Sequence, residues 1–350
     1  MGSPRIAIPA LLIALLGACA WPAAGSGQVL YRTSARLSRL TVSGGRMAWA
    51  QQVSGSTCVR IVRRPELGGT PTRVTKCRVP SRPVGSTHAW IRFAGSQVFW
   101  EETGFGNTEV DEFVYSTLPG GRRSPTVYTI NCGGTAGFGK LLDAAATGAL
   151  VYSVFTVHTD GACSPLSGSG VVRRTVVAGG HAQRILVPGA PGAALLAVSG
   201  RSLLEAPGVV ASFSVEPGQT LELRGLRSGT RRWSAAFTGT LRAVALSPSY
   251  AAALVRTASG KARIRAYAAA SGSLVRSIPV QATALPMVAM VGPRVVFAYP
   301  GRIMVWNVRT AGLHLLRRTQ ATVHNLLADG RLVAWNTVHT IRGIRLAPAG

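Results

Sequence analysis

Acidic residues are scarce in this chain: 12 aspartates and glutamates stand against 38 arginines and lysines in 350 residues, a formal charge of +26. Lysine is scarce as well, with Lys76, Lys140 and Lys261 the only three. No apolar run after the first 20 residues escapes interruption by polar or charged side chains. A membrane-spanning helix, which needs about 20 consecutive apolar residues, is therefore excluded. The six histidines are scattered, with no H-E-x-x-H or C-x-x-C spacing. That removes the usual zinc frameworks, and neither a metal nor a cofactor is expected. No G-x-S-x-G motif marks a hydrolase nucleophile. Aromatic and basic residues do not alternate and the basic residues form no dense tract, so nucleic acid is not the expected partner. Disorder is excluded too, because 47% of the residues are hydrophobic and only 14% charged.

What is present begins with a leader. MGSPR precedes IAIPALLIALLGACA, one arginine before a short apolar run that ends in small residues, the pattern of a secretory signal. Two processing routes fit. Ala18-Cys19-Ala20 suits cleavage of a signal peptide spanning 1–20, and Leu16-Gly17-Ala18-Cys19 resembles the lipobox of bacterial lipoproteins, which would end the signal at 18 and lipidate Cys19. No twin arginine precedes the run, which favours the general secretory route.

Four further cysteines remain, Cys58, Cys77, Cys132 and Cys163, and an even number in an exported chain suggests pairing. The segments TCVRIVRR and TRVTKCR flank the turn-rich PELGGTP and read as a hairpin. With its centre between Leu67 and Gly68, Cys58 falls opposite Cys77, where Cβ atoms stand about 4.5–5.5 Å apart. Cys132 and Cys163 pair by elimination.

Gly (41) and Pro (20) are abundant and favour many turns over long helices. One phrase recurs along the chain: VSGGRMAWAQ (42–51), FAGSQVFWEE (93–102), AATGALVYSV (145–154), EAPGVVASFS (205–214), ALSPSYAAAL (245–254), AMVGPRVVFA (289–298) and LLADGRLVAW (326–335). Each holds apolar residues, a Gly, Pro or Ser turn, then a β-branched or aromatic strand. In the fourth unit AVSGRSLLEA (197–206) competes with EAPGVVASFS; the spacing from Gly208 to Gly229 favours the latter. The second half repeats at about 40 residues, the period of a propeller with several strands per blade.

A second landmark follows the third strand of a unit: LELRGLRSG ending at Gly229, RIRAYAAASG at Gly272 and IMVWNVRTAG at Gly312. These phrases resemble the WD-repeat and quinoprotein-like propellers, with Trp306-Asn307 where WD repeats carry Trp-Asp. The Gly-His signature and the aspartate are missing, and the resemblance is clear over 200–350. It implies an all-β propeller. Seven blades is the count of phrases, with six, eight or an open sandwich as alternatives. The last unit supplies three strands, and QVLYRTS (28–34) is the spare strand that would complete it and close the ring. The expected domain is 28–350.

Charge and scattered motifs set the functional expectation. Arginine pairs at 63–64, 122–123, 173–174, 231–232 and 317–318 fall on or beside third and outermost strands, spreading charge around the rim. GC-rich coding would also enrich arginine, alanine and glycine without selection for binding. Glu101, Glu102, Glu109, Asp111 and Glu112 gather in one hairpin, without the spacing of a calcium loop. GTAGFGKL (134–141) approaches a phosphate-binding loop, but Leu141 stands where the magnesium-binding hydroxyl belongs, and a glycine-rich connection between blades two and three is expected there. His88 and His324, each just before an innermost strand, are the candidates for the ligand face. The expected protein is an exported, monomeric, non-enzymatic scaffold. Its partner would be an envelope protein or an anionic cell-surface polymer, with membrane contact only through a lipid anchor. A secreted lyase or hydrolase of anionic polysaccharide is the alternative.

Overall fold

The computed structural model describes residues 27–43, 45–52, 59–64, 69–74, 87–94, 97–105, 110–117, 123–129, 134–144, 150–159, 172–179, 182–187, 196–199, 202–205, 219–225, 231–281 and 287–348. Within them the chain is all-β, and 28 strands form seven four-stranded antiparallel sheets. The N-terminal strand is β1 (Gln28–Arg32). Sheet 1 holds β2 (Leu37–Ser43), β3 (Arg46–Gln52), β4 (Val59–Arg64) and β5 (Thr72–Arg73). Sheet 2 holds β6 (Thr87–Ala94), β7 (Gln97–Phe105), β8 (Val110–Thr117) and β9 (Arg123–Thr129). Sheet 3 holds β10 (Gly134–Ala144), β11 (Leu150–Thr159), β12 (Val172–Gly179) and β13 (Ala182–Val187). Sheet 4 holds β14 (Leu196–Ser199), β15 (Ser202–Glu205), β16 (Gln219–Gly225) and β17 (Arg231–Phe237). Sheet 5 holds β18 (Thr240–Leu246), β19 (Tyr250–Arg256), β20 (Ala262–Ala268) and β21 (Leu274–Val280). Sheet 6 holds β22 (Val288–Val291), β23 (Arg294–Tyr299), β24 (Arg302–Asn307) and β25 (Leu313–Arg318). Sheet 7 orders β26 (Asn325–Asp329), β27 (Leu332–Asn336) and β28 (Thr340–Arg345) from the inside, with β1 bonded to the outer edge of β28.

The repeated phrase is the hairpin from first to second strand, and its register explains the recurring aromatic. Trp49, Trp100, Trp335 and Phe297 are each the fourth residue of a second strand, opposite Leu40, Ile91, Leu326 and Val288 respectively. In three of these turns glycine takes positive φ (Gly45 76°, Gly292 56°, Gly330 56°), where an L-residue is strained. Sheet 5 turns without glycine, because the Ser247 hydroxyl accepts from the Tyr250 N–H at 3.2 Å.

The second strands β3, β19, β23 and β27 are apolar over their central residues because each is buried between two neighbours. Met47 and Trp49 pack with Leu332, Ala334 and Ile341 of sheet 7, while Ala48 and Ala50 pack with Ile91, Val98 and Trp100 of sheet 2. Val295 and Phe297 likewise face sheet 5, and Val296 and Ala298 face sheet 7. A strand alternates its side chains between faces, so two apolar neighbours demand an unbroken apolar run. First strands pack in sequence around the molecule, and β26 packs on β2. The connection from β1 to β2 stays on sheet 7: Thr33 N–H donates to the His339 carbonyl at 3.1 Å, and His339 Nδ1 lies 3.1 Å from the Ala35 carbonyl. The Arg64 guanidinium adds a bond to the Leu30 carbonyl.

Three expectations are corrected. In sheet 4 the first hairpin is AVSGRSLLEA, with Ser199 opposite Ser202 and Leu196 opposite Glu205. Glycine spacing misled because the connection from β15 to β16 is long. GTAGFGKL is not a connection but lies inside β10, whose Gly134 to Ala144 pair with the β-branched and aromatic β11. Pairing with that strand overrides the glycines' weak strand preference. His88 lies within β6 and not before it, opposite Glu102.

Candidate functional site

Charge is distributed unevenly over this frame. From Leu223 to Gly350 the sequence carries 18 arginines and lysines and one acid, Asp329. Asp329 is half-buried, and its carboxylate accepts from the Gly45 N–H at 3.2 Å. The other acid with a described side chain, Glu222, is buried in β16 and meets Arg231 at 3.3 Å. The Arg231 side chain is 58% exposed, so solvent screens this pair strongly. Sheets 5 to 7 therefore present an almost wholly cationic periphery.

In each sheet the turns from first to second strand and from third to fourth lie at one end, here termed the turn end. Outermost strands start there. Arg231 and Arg232 open β17, Arg276 is the third residue of β21, Arg309 precedes β25, and Arg345 closes β28 beside β1; all five are exposed. Arg276 Nη2 donates to the Arg309 carbonyl at 3.4 Å, tying the edges of sheets 5 and 6 together. Beneath them Trp233 donates its indole N–H to the Ala269 carbonyl at 2.9 Å and stacks on Tyr267, seating the β20–β21 turn on sheet 4.

Arg294 is the exception among the described arginines. It is 2% exposed, its Nη2 donates to the Ala347 carbonyl at 2.6 Å, and burial lowers its pKa. It clamps the segment after β28 onto the β22–β23 turn and is structural.

On the first strands, Arg39 and Arg242 stand at β-bulges between Leu37 and Leu40 and between Leu241 and Ala243. Arg92 Nη1 donates to the Ile91 carbonyl at 2.8 Å. His324 is half-buried, directly precedes β26, and donates its backbone N–H to the Asn336 carbonyl at 2.9 Å. His88 and His324 belong to sheets 2 and 7, on either side of β2, and are not brought together in one sheet. The side chain of His88 and residues Cys19, Cys58, Cys77, Cys132 and Cys163 lie outside the described residues. The acidic hairpin is formed by β7 and β8, with Thr103 opposite Glu112 and Gly104 opposite Asp111. Among the described residues no cluster of three or more potential metal ligands occurs, and no helix is long and apolar enough to cross a membrane. The arginine pairs were legible in the sequence. Which end each pair occupies was not, because it depends on strand direction: 63–64, 123 and 231–232 fall at the turn end, 173–174 and 317–318 at the opposite end.

No protein-family model matches the chain, and no curated protein matches it. Solved structures do. Oligogalacturonate lyase in complex with manganese aligns at TM-score 0.58 and 10% identity over 92% of this chain and 96% of that one. Acylaminoacyl peptidase of Pyrococcus horikoshii aligns at TM-score 0.57 and 10% identity over 90% of this chain and 52% of that one. A chain of the mitotic checkpoint complex aligns at TM-score 0.50 and 14% identity over 98% of this chain and 100% of that one. At these identities the likeness shows the fold alone. The fold is a β-propeller, similar to WD40 propellers and to propeller enzymes.

Proposed function

We propose that this chain is an exported, monomeric, non-enzymatic β-propeller that binds an envelope protein or an anionic cell-surface polymer. The observation that carries the reading is the excess of 18 basic residues over one acid from residue 223 onward, spread along sheet edges. Such a surface draws anions by a field that salt screens. The seven sheets are read as seven blades of one domain, 28–350, with β1 closing the ring after removal of a leader at 1–20 or 1–18. The β4–β5 ladder pairs Val62 with Arg73 and Arg63 with Thr72. Cys58 and Cys77 lie outside the described residues, and we read them as a disulfide of an exported protein.

Fractionation of producing cells tests the reading. Release of the protein from the envelope by high salt supports an anionic partner held by the basic edges. Retention until detergent supports lipid on Cys19. Protein free in the medium overturns the envelope assignment.

The second reading, a lyase or hydrolase of an anionic polysaccharide, is favoured by Arg39, Arg92 and Arg242 on three innermost strands, where guanidiniums would bind carboxylates. Depolymerisation of polygalacturonate or alginate by the purified protein, lost in Arg39→Gln and Arg242→Gln, would establish it in place of the first.

A further inference from the structure

Among the described residues the exposed large hydrophobic side chains are five: Val29 (39%), Leu274 (53%), Val275 (40%), Leu313 (47%) and Leu315 (43%). All five lie within the first three residues of an outermost strand, β1, β21 or β25, in three consecutive sheets. Outermost strands start at the turn end, so these residues share one edge of the molecule. The same edge carries exposed Arg231, Arg232, Arg276, Arg309 and Arg345. The Arg276 to Arg309 bond makes the row continuous from sheet 5 to sheet 6. Of the two acids with described side chains, Glu222 pairs with Arg231 and Asp329 is bonded to Gly45 at the innermost turn.

We propose that this edge is a membrane-docking surface. It lies on a bilayer leaflet containing anionic phospholipid, with guanidiniums on headgroup phosphates and the five aliphatic side chains at the headgroup–acyl boundary. The proposal rests on the envelope reading above and gives the protein a contact with membrane independent of Cys19. Interleaving of the two residue types selects this partner. A soluble polyanion would engage the arginines but leave the leucines in water. A protein interface concentrates its apolar contacts in one central patch enriched in aromatic residues. Here the apolar residues are all aliphatic and divided among three strand ends with charge between them, an arrangement a fluid surface can meet at every point.

The test uses the full chain carrying Cys19→Ala, so that no lipid anchor contributes, and co-sedimentation with two vesicle types. One is phosphatidylcholine alone; the other adds phosphatidylglycerol. Binding is expected only with phosphatidylglycerol present. Arg276→Gln with Arg309→Gln should weaken it roughly thirtyfold, from about 1 kcal/mol per basic residue near an anionic surface. Leu274→Ser with Leu313→Ser and Leu315→Ser should weaken it at least about tenfold, and these exposed substitutions should leave the melting temperature unchanged. Equal binding by the serine variant would overturn the proposal, since the apolar row would then take no part. So would binding to soluble dextran sulfate but to neither vesicle, an outcome that leaves the envelope reading standing. Free protein in the medium during fractionation would instead remove the envelope reading.

Discussion

Gly272→Ala is the sharpest probe of how the docking edge is held. Gly272 ends the β20–β21 turn with φ 73°, two residues before Leu274. A Cβ built there would stand 2.6 Å from Cγ and Cδ2 of Trp233 and 2.9 Å from its Cβ. Two costs follow. An L-residue in the left-handed region costs about 1–2 kcal/mol, and forcing extra volume into a packed site costs about 1–3 kcal/mol. Alanine restricts the unfolded chain and returns about 0.4–1 kcal/mol. The net loss is about 3 kcal/mol. At about 2 °C per kcal/mol for a domain of this size, the melting temperature falls by ~6 °C. The Trp233 indole must also move, weakening its 2.9 Å bond to Ala269. Thermal unfolding followed by circular dichroism measures the loss. Repeating it in a Trp233→Leu background separates the two costs, because only the backbone share should persist there. A melting temperature unchanged by Gly272→Ala would refute the reasoning, showing that the turn is not seated on sheet 4.

Three further outcomes are expected. Leu30, 7% exposed on β1, packs with sheets 1 and 7. Leu30→Ala should cost about 2–3 kcal/mol in chemical denaturation, and an unchanged midpoint would mean that β1 contributes nothing to the stability of sheet 7. At Arg294, Arg294→Ala should lower the melting point more than Arg294→Met, since methionine keeps most of the volume and sheds a buried charge; equal losses would assign the effect to the bond with Ala347. Burial lowers the Arg294 pKa, so the folded protein binds the proton less well than the unfolded chain, and this group's contribution to stability rises with pH. That rise falls far alkaline of neutrality, so Arg294→Met should not alter the pH dependence of melting between about pH 6 and 9. Peptide mapping without reductant should recover Cys58 linked to Cys77, and reduction should cost about 3 kcal/mol. Free thiols at both positions would reject that pairing.

Much of the fold was legible because hairpins are local. The turn-and-strand phrase marks six of the seven first hairpins, since a glycine or serine turn and the apolar residues flanking it are neighbours in sequence. The β4–β5 register was readable for the same reason. Where local cues conflicted, reading by spacing failed. The hairpin of sheet 4 was displaced because a long connection follows β15. The third-strand landmark also hid a difference: Gly272 takes positive φ, but in the turn before β25 the left-handed residue is Ala311 at 61° and not Gly312.

The candidate surface was half legible. Arginine excess and the arginine pairs are properties of composition, visible without coordinates. By itself, then, the sequence determined an all-β repeat, its hairpins and a basic character. Only the tertiary structure decided that Val29, Leu274, Val275, Leu313 and Leu315 stand exposed along one edge with arginines between them. Val29 and Leu313 are brought to that edge by the pairing of β1 with β28 and by the packing of sheet 7 on sheet 6. Exposure on an outermost strand depends on which strands find a neighbour. That is decided by long-range burial, and no local pattern encodes it.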